Sequence, residues 1–156
     1  MNYLNIVKFA CLCAYTCAHV RNCVIMNFNL DNMKKVIATE NAPKAVGPYS
    51  QAIEVNGTLY ISGQIPVNPA DGKVQEDIVA AAHQSLKNIG AILKEAGMTY
   101  DNVVKTTVLL ADIADFKAVN EVYAEYFTGD KPARACYQAA ALPLGVKVEI
   151  EAIAVK

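Results

Sequence analysis

The sequence predicts an α+β domain, one mixed β-sheet with two helices on one face. Three observations point there. β-prone runs arrive both as a tight hairpin and separated by helical patterns. Two segments carry apolar residues at three- and four-residue steps. The closing run, VKVEIEAIAVK, alternates with period two. Hairpins mixed with crossovers exclude a purely parallel α/β sheet.

The elements follow in order. KKVIAT reads as a short first strand, and NAPKAVGPYS as a connection broken by Pro43, Gly47 and Pro48. SQAIEV and TLYISG flank Asn56-Gly57, a pair that tolerates positive φ and so predicts a hairpin. QIPVNPADGK is a loop with an Asp-Gly turn. Ile78, Ala82, Leu86, Ile89 and Leu93 predict a helix from Asp77 to Ala96, stopped by Gly97. NVVKTTVLLADI reads as a strand. Asp112 can cap a second helix, with Phe116, Val119, Tyr123 and Tyr126 along one side. RACYQAAAL is a strand, LPLG a turn and VKVEIEAIAVK the last strand. In that strand Val146, Val148, Ile150, Ala152 and Ala154 should meet the helices. The opposite face, Lys147, Glu149, Glu151, Ile153 and Val155, ends apolar, which predicts cover by another subunit.

Of 156 residues, 54% are hydrophobic and 19% charged, enough apolar content for a packed single domain. We divide the chain at Met33. Residues 1–32 hold Cys11, Cys13, Cys17 and Cys23 in a spacing that fits no zinc pattern, and we read them as an atypical extension, disordered or non-native. Its apolar run is too short to span a bilayer, and no small-x-small cleavage site follows. The expected localisation is cytoplasmic, or mitochondrial or secreted if 1–32 is a targeting segment. Residues 33–156 then form the folded domain, with 12 basic and 14 acidic residues and no basic run. That balance argues against nucleic-acid binding.

Cofactor and metal motifs are missing: there is no G-x-G-x-x-G, no P-loop, and no His, Cys and carboxylate cluster. His83 is the only histidine outside the extension and reads as a helix-boundary residue, so no triad can form. Arg134, in KPARAC, is the sharpest candidate. It opens an apolar strand, where a guanidinium needs a partner. Its planar fork matches a carboxylate, supplied either by a ligand or by Glu149 or Glu151 on an adjacent hairpin strand. Glu149 is either an exposed strand residue or, near Arg134 on a subunit-facing surface, a group that orients water. Tyr49 is a packed turn aromatic or a site phenol. Cys136 has no histidine to activate its thiol, though its carbonyl could accept a hydrogen bond. Ser62, Gly63 and Asn120 carry no signal by themselves.

GPYSQAI, LYISGQIPVNPADG, the KPARAC stretch and KVEIEAIAVK, in that order, resemble the Rid family of reactive intermediate deaminases, also called YjgF-like or L-PSP proteins. Arg-x-Cys followed by Glu in the last strand resembles the RidA subgroup. The likeness runs from about Met33 to Lys156. It implies a chorismate-mutase-like α+β fold assembled as a homotrimer, with sites between subunits. It implies a cofactor-independent hydrolase whose substrate is a small 2-imino acid, or its enamine tautomer, released by pyridoxal-phosphate enzymes. The products would be a 2-oxo acid and ammonia. By the family pattern Arg134 holds the substrate carboxylate and the Cys136 carbonyl receives the imine N–H. Glu149 positions the attacking water, Tyr49 closes the site, and Ser62, Gly63 and Asn120 line it. Competing functions are an endoribonuclease or translation inhibitor, a label some members carry, and a non-catalytic small-molecule-binding trimer.

Overall fold

Asn56 and Gly57 take φ of 53° and 75°, the two positive values that a two-residue hairpin turn needs. The computed structural model describes residues 34–156. The readings made on the extension therefore lie outside the described residues. The turn joins β2 (Ala52–Val55) to β3 (Thr58–Gln64), and β1 (Lys35–Ile37) pairs with β2. After β3 come α1 (Ile78–Glu95), β4 (Val103–Leu110), α2 (Phe116–Tyr126), β5 (Ala133–Gln138) and β6 (Val148–Val155). That is the predicted order of strands and helices.

The helix ends are set locally. Asp77 Oδ1 accepts from the Ala80 N–H at 2.9 Å and so caps α1. At the other end Gly97 has φ of 70°, and the Gly97 and Met98 N–H groups donate back to the Lys94 and Leu93 carbonyls. This double closure is open to glycine because it has no Cβ to clash at positive φ. Asp112 caps less directly than predicted. Its carboxylate accepts from Ala114 N–H and holds a 3-10 turn, Ile113–Asp115, which then runs into α2.

Six strands form one sheet in the order β1-β2-β3-β6-β4-β5. β6 lies antiparallel between β3 and β4, and β5 runs parallel to β4 at the edge. This corrects the hairpin reading of β5 and β6. The two strands follow one another in sequence, but β4 separates them. A helical crossover between β4 and β5 allows parallel pairing, and β6 then fills the slot on the other side of β4.

Val148, Ile150, Ala152 and Ala154 of β6 are buried with Ala82, Leu86, Ile89 and Leu93 of α1 and Val119 and Tyr123 of α2. Four of the five residues predicted to meet the helices therefore do so. Val146, which precedes β6, is buried instead in a second cluster with Ile65 and Leu142, because the alternation of the strand begins only at Val148. On the outer face this second cluster packs beside Leu109, but among the described residues the end around Tyr60 and Val155 is left uncovered. Tyr60, opposite Ile153, is 48% exposed and Val155 is 40% exposed.

Candidate active site

Arg134 sits near the start of β5, at the sheet edge, in register with Thr106 and, one strand further, Ala152. Thr106 and Ala152 are buried, so Arg134 projects on the helix side of the sheet. Its position at the edge keeps it exposed, and the cost expected for an arginine inside an apolar strand does not arise. The guanidinium carbon lies 4.7 Å from the Tyr123 ring centroid and 5.6 Å from that of Phe116. Both distances suit cation–π attraction. Tyr123 is fixed in turn by a 2.7 Å hydrogen bond between its hydroxyl and Thr106 Oγ1. Among the described residues Arg134 makes no salt bridge, so the internal pairing with Glu149 or Glu151 does not form within the chain. Asn120 is half-buried on α2, four residues after Phe116 and three before Tyr123. Cys136 lies two residues along β5 on the same face, partly buried against the core. Burial pushes its thiol up, against a smaller downward pull from Arg134. A thiol so placed stays protonated and is a poor nucleophile.

The second group lies on the other face. A cavity of about 380 Å³ is lined by Tyr49, Ser62, Gly63, Glu149 and Glu151, with Val46, Ile65 and Pro143. Between Ile61 and Gln64 the register of β3 against β6 shifts, so Ser62 and Gly63 form a bulge opposite Glu151. Bulges re-aim side chains and bring backbone close to a site. Gly63 makes the room for Glu149: a Cβ there would lie 2.7 Å from the Glu149 Cδ. Burial raises the Glu149 carboxyl above its ordinary value, and the Glu151 charge two residues along adds to the rise. Such a group holds a proton more readily than a free glutamate.

Tyr49 is placed by its loop. Its backbone N–H donates to the Gly47 carbonyl, and its hydroxyl accepts from Val46 N–H at 3.3 Å. The loop is tied down by buried Gln51, whose amide donates to the Thr39, Ala42 and Pro43 carbonyls and accepts from Thr39 N–H. Ser62 Oγ donates to the Ser50 carbonyl at 2.7 Å, which locks the bulge to the same loop.

The structure thus brings Tyr49, Ser62, Gly63 and Glu149 together, and separately Arg134, Cys136 and Asn120. It does not unite the two groups in one chain. Glu149 is in register with Leu109 and, beyond it, Tyr137, whereas Arg134 shares the face of Thr106. The expectation that Glu149 lies near Arg134 fails within the subunit, because alternate strand positions face opposite sides. Gln51, Phe116 and Tyr123 were not singled out for the site, and Glu151 was considered only as an internal partner for Arg134, which it is not. Phe116 and Tyr123 were visible only as part of an apolar helix stripe. A glutamine in an extended segment announces nothing of its loop-holding role.

His83 is the boundary residue expected, with Nδ1 2.9 Å from the Tyr126 hydroxyl. Among the described residues no group of three or more His, Cys, Asp or Glu could hold a metal ion. No described helix is long and apolar enough to cross a membrane.

Comparison with known proteins places this geometry in a family. A family model described as Endoribonuclease L-PSP matches residues 39–156. The 2-iminobutanoate/2-iminopropanoate deaminase of Mus musculus is 59% identical over 125 residues, covering 80% of this chain and 93% of the mouse protein. The protein of the same name from Escherichia coli is 50% identical, over 80% of this chain and 99% of its own. Among solved structures, the Escherichia coli YjgF gene product matches with a TM-score of 0.76 at 50% identity, over 78% of this chain and 98% of that one. A Rid-family protein from Yersinia pestis matches at 0.78 with 52% identity, over 80% of this chain and all of that one. The bulged β3, the edge arginine and the acidic last strand are therefore those of a chain that belongs to the L-PSP family, in its RidA subgroup.

Proposed function

We propose that the protein is a 2-iminobutanoate/2-iminopropanoate deaminase, a cofactor-independent hydrolase acting in sites shared between the subunits of a homotrimer. One observation carries the shared site. An exposed guanidinium without a carboxylate partner among the described residues stands on one face of the sheet. A cavity holding Glu149, Glu151 and Tyr49 stands on the other. Each half lacks what the other offers, and a rotationally symmetric assembly brings a patch of one copy to a different patch of the next. The uncovered apolar face around Tyr60 and Val155 supplies surface for that contact. The names of the mouse and Escherichia coli relatives support the reaction assigned.

The chemistry asks little. A protonated 2-imino acid and water give a 2-oxo acid and ammonium. Arg134 of one copy holds the substrate carboxylate through its fork. The Cys136 carbonyl accepts from the iminium N–H, which favours the protonated, electrophilic form. Glu149 of the next copy takes a proton from the attacking water and passes it to the departing amine. Its raised proton affinity suits a base that must work nearer neutral pH. Tyr49 closes the cavity, and Ser62, Gly63 and Asn120 line it. Most of the gain is positional, since two fixed anchors and one aimed water remove the entropy of assembly.

A coupled assay tests this. Threonine dehydratase generates 2-iminobutanoate in the presence of semicarbazide, and the protein competes for the imine. Wild type should divert imine to 2-oxobutanoate, while Arg134→Ala should not. Equal semicarbazone yield with wild type, Arg134→Ala and buffer overturns the assignment. An endoribonuclease reading, the family model's description, finds little support: residues 34–156 hold one histidine, already engaged by Tyr126.

A further inference from the structure

We infer that Phe116 and Tyr123 are positioning residues for Arg134, an aromatic clamp that presents its guanidinium edge to the substrate carboxylate. The inference rests on the reaction proposed above. Its basis is geometric. An exposed arginine has many rotamers, and ordering one usually calls for a carboxylate partner. Such a partner would occupy the N–H fork and cancel the charge. Here the guanidinium instead lies 4.7 Å from one ring centroid and 5.6 Å from another. Aromatic faces attract a cation through its face and leave the in-plane N–H groups free. The side chain is thus located without being neutralised.

The clamp is itself held. Tyr123 is buried, and its hydroxyl is bonded to Thr106 Oγ1, the residue in register with Arg134 on the neighbouring strand. Ring and guanidinium are therefore referenced to the same rung of the sheet. Phe116 lies seven residues earlier on α2, two turns along the same side, so both rings reach the cation from one helix face, with Asn120 between them along it. Phe116 is 40% exposed, although it is a large apolar side chain at the start of a helix that buries Val119 and Tyr123. Contact with Arg134 gives that exposure a purpose.

The test compares Phe116→Leu, which keeps apolar bulk and removes the π face, with Phe116→Tyr, which restores it. The exposed position makes both fold-compatible. Only Arg21 and Arg134 are arginines, so the Nε–H spectrum of the protein holds two side-chain signals, and Arg134→Lys assigns one. The clamp predicts an upfield ring-current shift on Arg134 that shrinks in Phe116→Leu and returns in Phe116→Tyr. It predicts that 2-oxobutanoate binds about two- to five-fold more weakly to Phe116→Leu, with the kinetic loss falling on KM rather than kcat. Wild-type affinity and an unchanged Arg134 signal in Phe116→Leu would overturn the clamp. So would equal loss in the leucine and tyrosine variants. If wild type shows the shift but neither binds 2-oxobutanoate nor turns over imine, the substrate assignment falls and the presentation of Arg134 to a carboxylate falls with it. The ring contact would then stand as packing alone.

Discussion

Gly63→Ala should separate folding from catalysis. The φ of Gly63 is not in the left-handed region, so alanine can take the backbone without strain. The obstacle is the side chain it would add, whose Cβ would overlap Glu149 Oε1 outright and meet Cδ at 2.7 Å and Cγ at 3.0 Å. Non-bonded heavy atoms pack at about 3.5–4.0 Å, so the carboxylate must retreat by roughly 1.5 Å. Glu149 has torsions to spare, and turning one away from its well costs about 0.5–1.5 kcal/mol. The fold should therefore survive with a small fall in Tm. Catalysis should not, since a misplacement of about 1 Å can cost on the order of 100-fold. In the semicarbazide competition assay kcat should fall by about that factor. The double variant Gly63→Ala/Glu149→Gln should be no worse than Glu149→Gln alone, because both act through one carboxylate. Near wild-type turnover in Gly63→Ala, or fully additive losses, would show that Glu149 is not the group this gap serves.

Other outcomes follow from the same geometry. Arg134→Lys should lose about 10- to 100-fold in kcat/KM, almost as much as Arg134→Ala, because an ammonium cannot make the paired hydrogen bonds; near-normal turnover by the lysine variant would remove the clamp on the carboxylate. Cys136→Ala should retain most activity, since the carbonyl remains and the thiol is held protonated. A dead but assembled alanine variant would put the thiol back in the chemistry. Glu149 has a raised carboxyl in the folded state, from burial first and Glu151 second, so it stabilises the fold only while protonated. That contribution is complete below the ordinary glutamate value of 4.5 and is lost as pH rises through the raised one. Glu149→Gln should flatten this part of the Tm–pH curve, and a curve that keeps its wild-type slope would contradict the burial argument.

The parts of the fold that were legible in the sequence are those decided by neighbours along the chain. Asn56-Gly57 could be read because a two-residue turn depends on two φ values. The limits of α1 could be read because Asp77 and Gly97 act within one turn of it. The buried side of β6 was visible in its alternation, and among the described residues its apolar outer end is uncovered. Strand partners were not legible, because pairing joins residues distant in sequence. β5 and β6 looked like a hairpin across LPLG, yet each pairs with β4. The error reached the site. A β5–β6 hairpin left Arg134 and Glu149 free to meet on one surface, whereas the true register sets them on opposite faces. The residues around Arg134 were hidden for a related reason. Phe116 and Tyr123 fit a helix stripe whether they face a core or a cation.

The most direct test is complementation between two dead variants. Arg134→Ala and Glu149→Ala would each be inactive alone and would then be co-refolded in equal amounts, with native mass spectrometry verifying mixed oligomers. If Arg134 of one copy works with Glu149 of the next, about a quarter of the sites in a randomly mixed cyclic assembly regain both groups. Activity should rise to about a quarter of wild type. A mixture that forms mixed oligomers and stays as inactive as its parents would contradict a site built from two subunits.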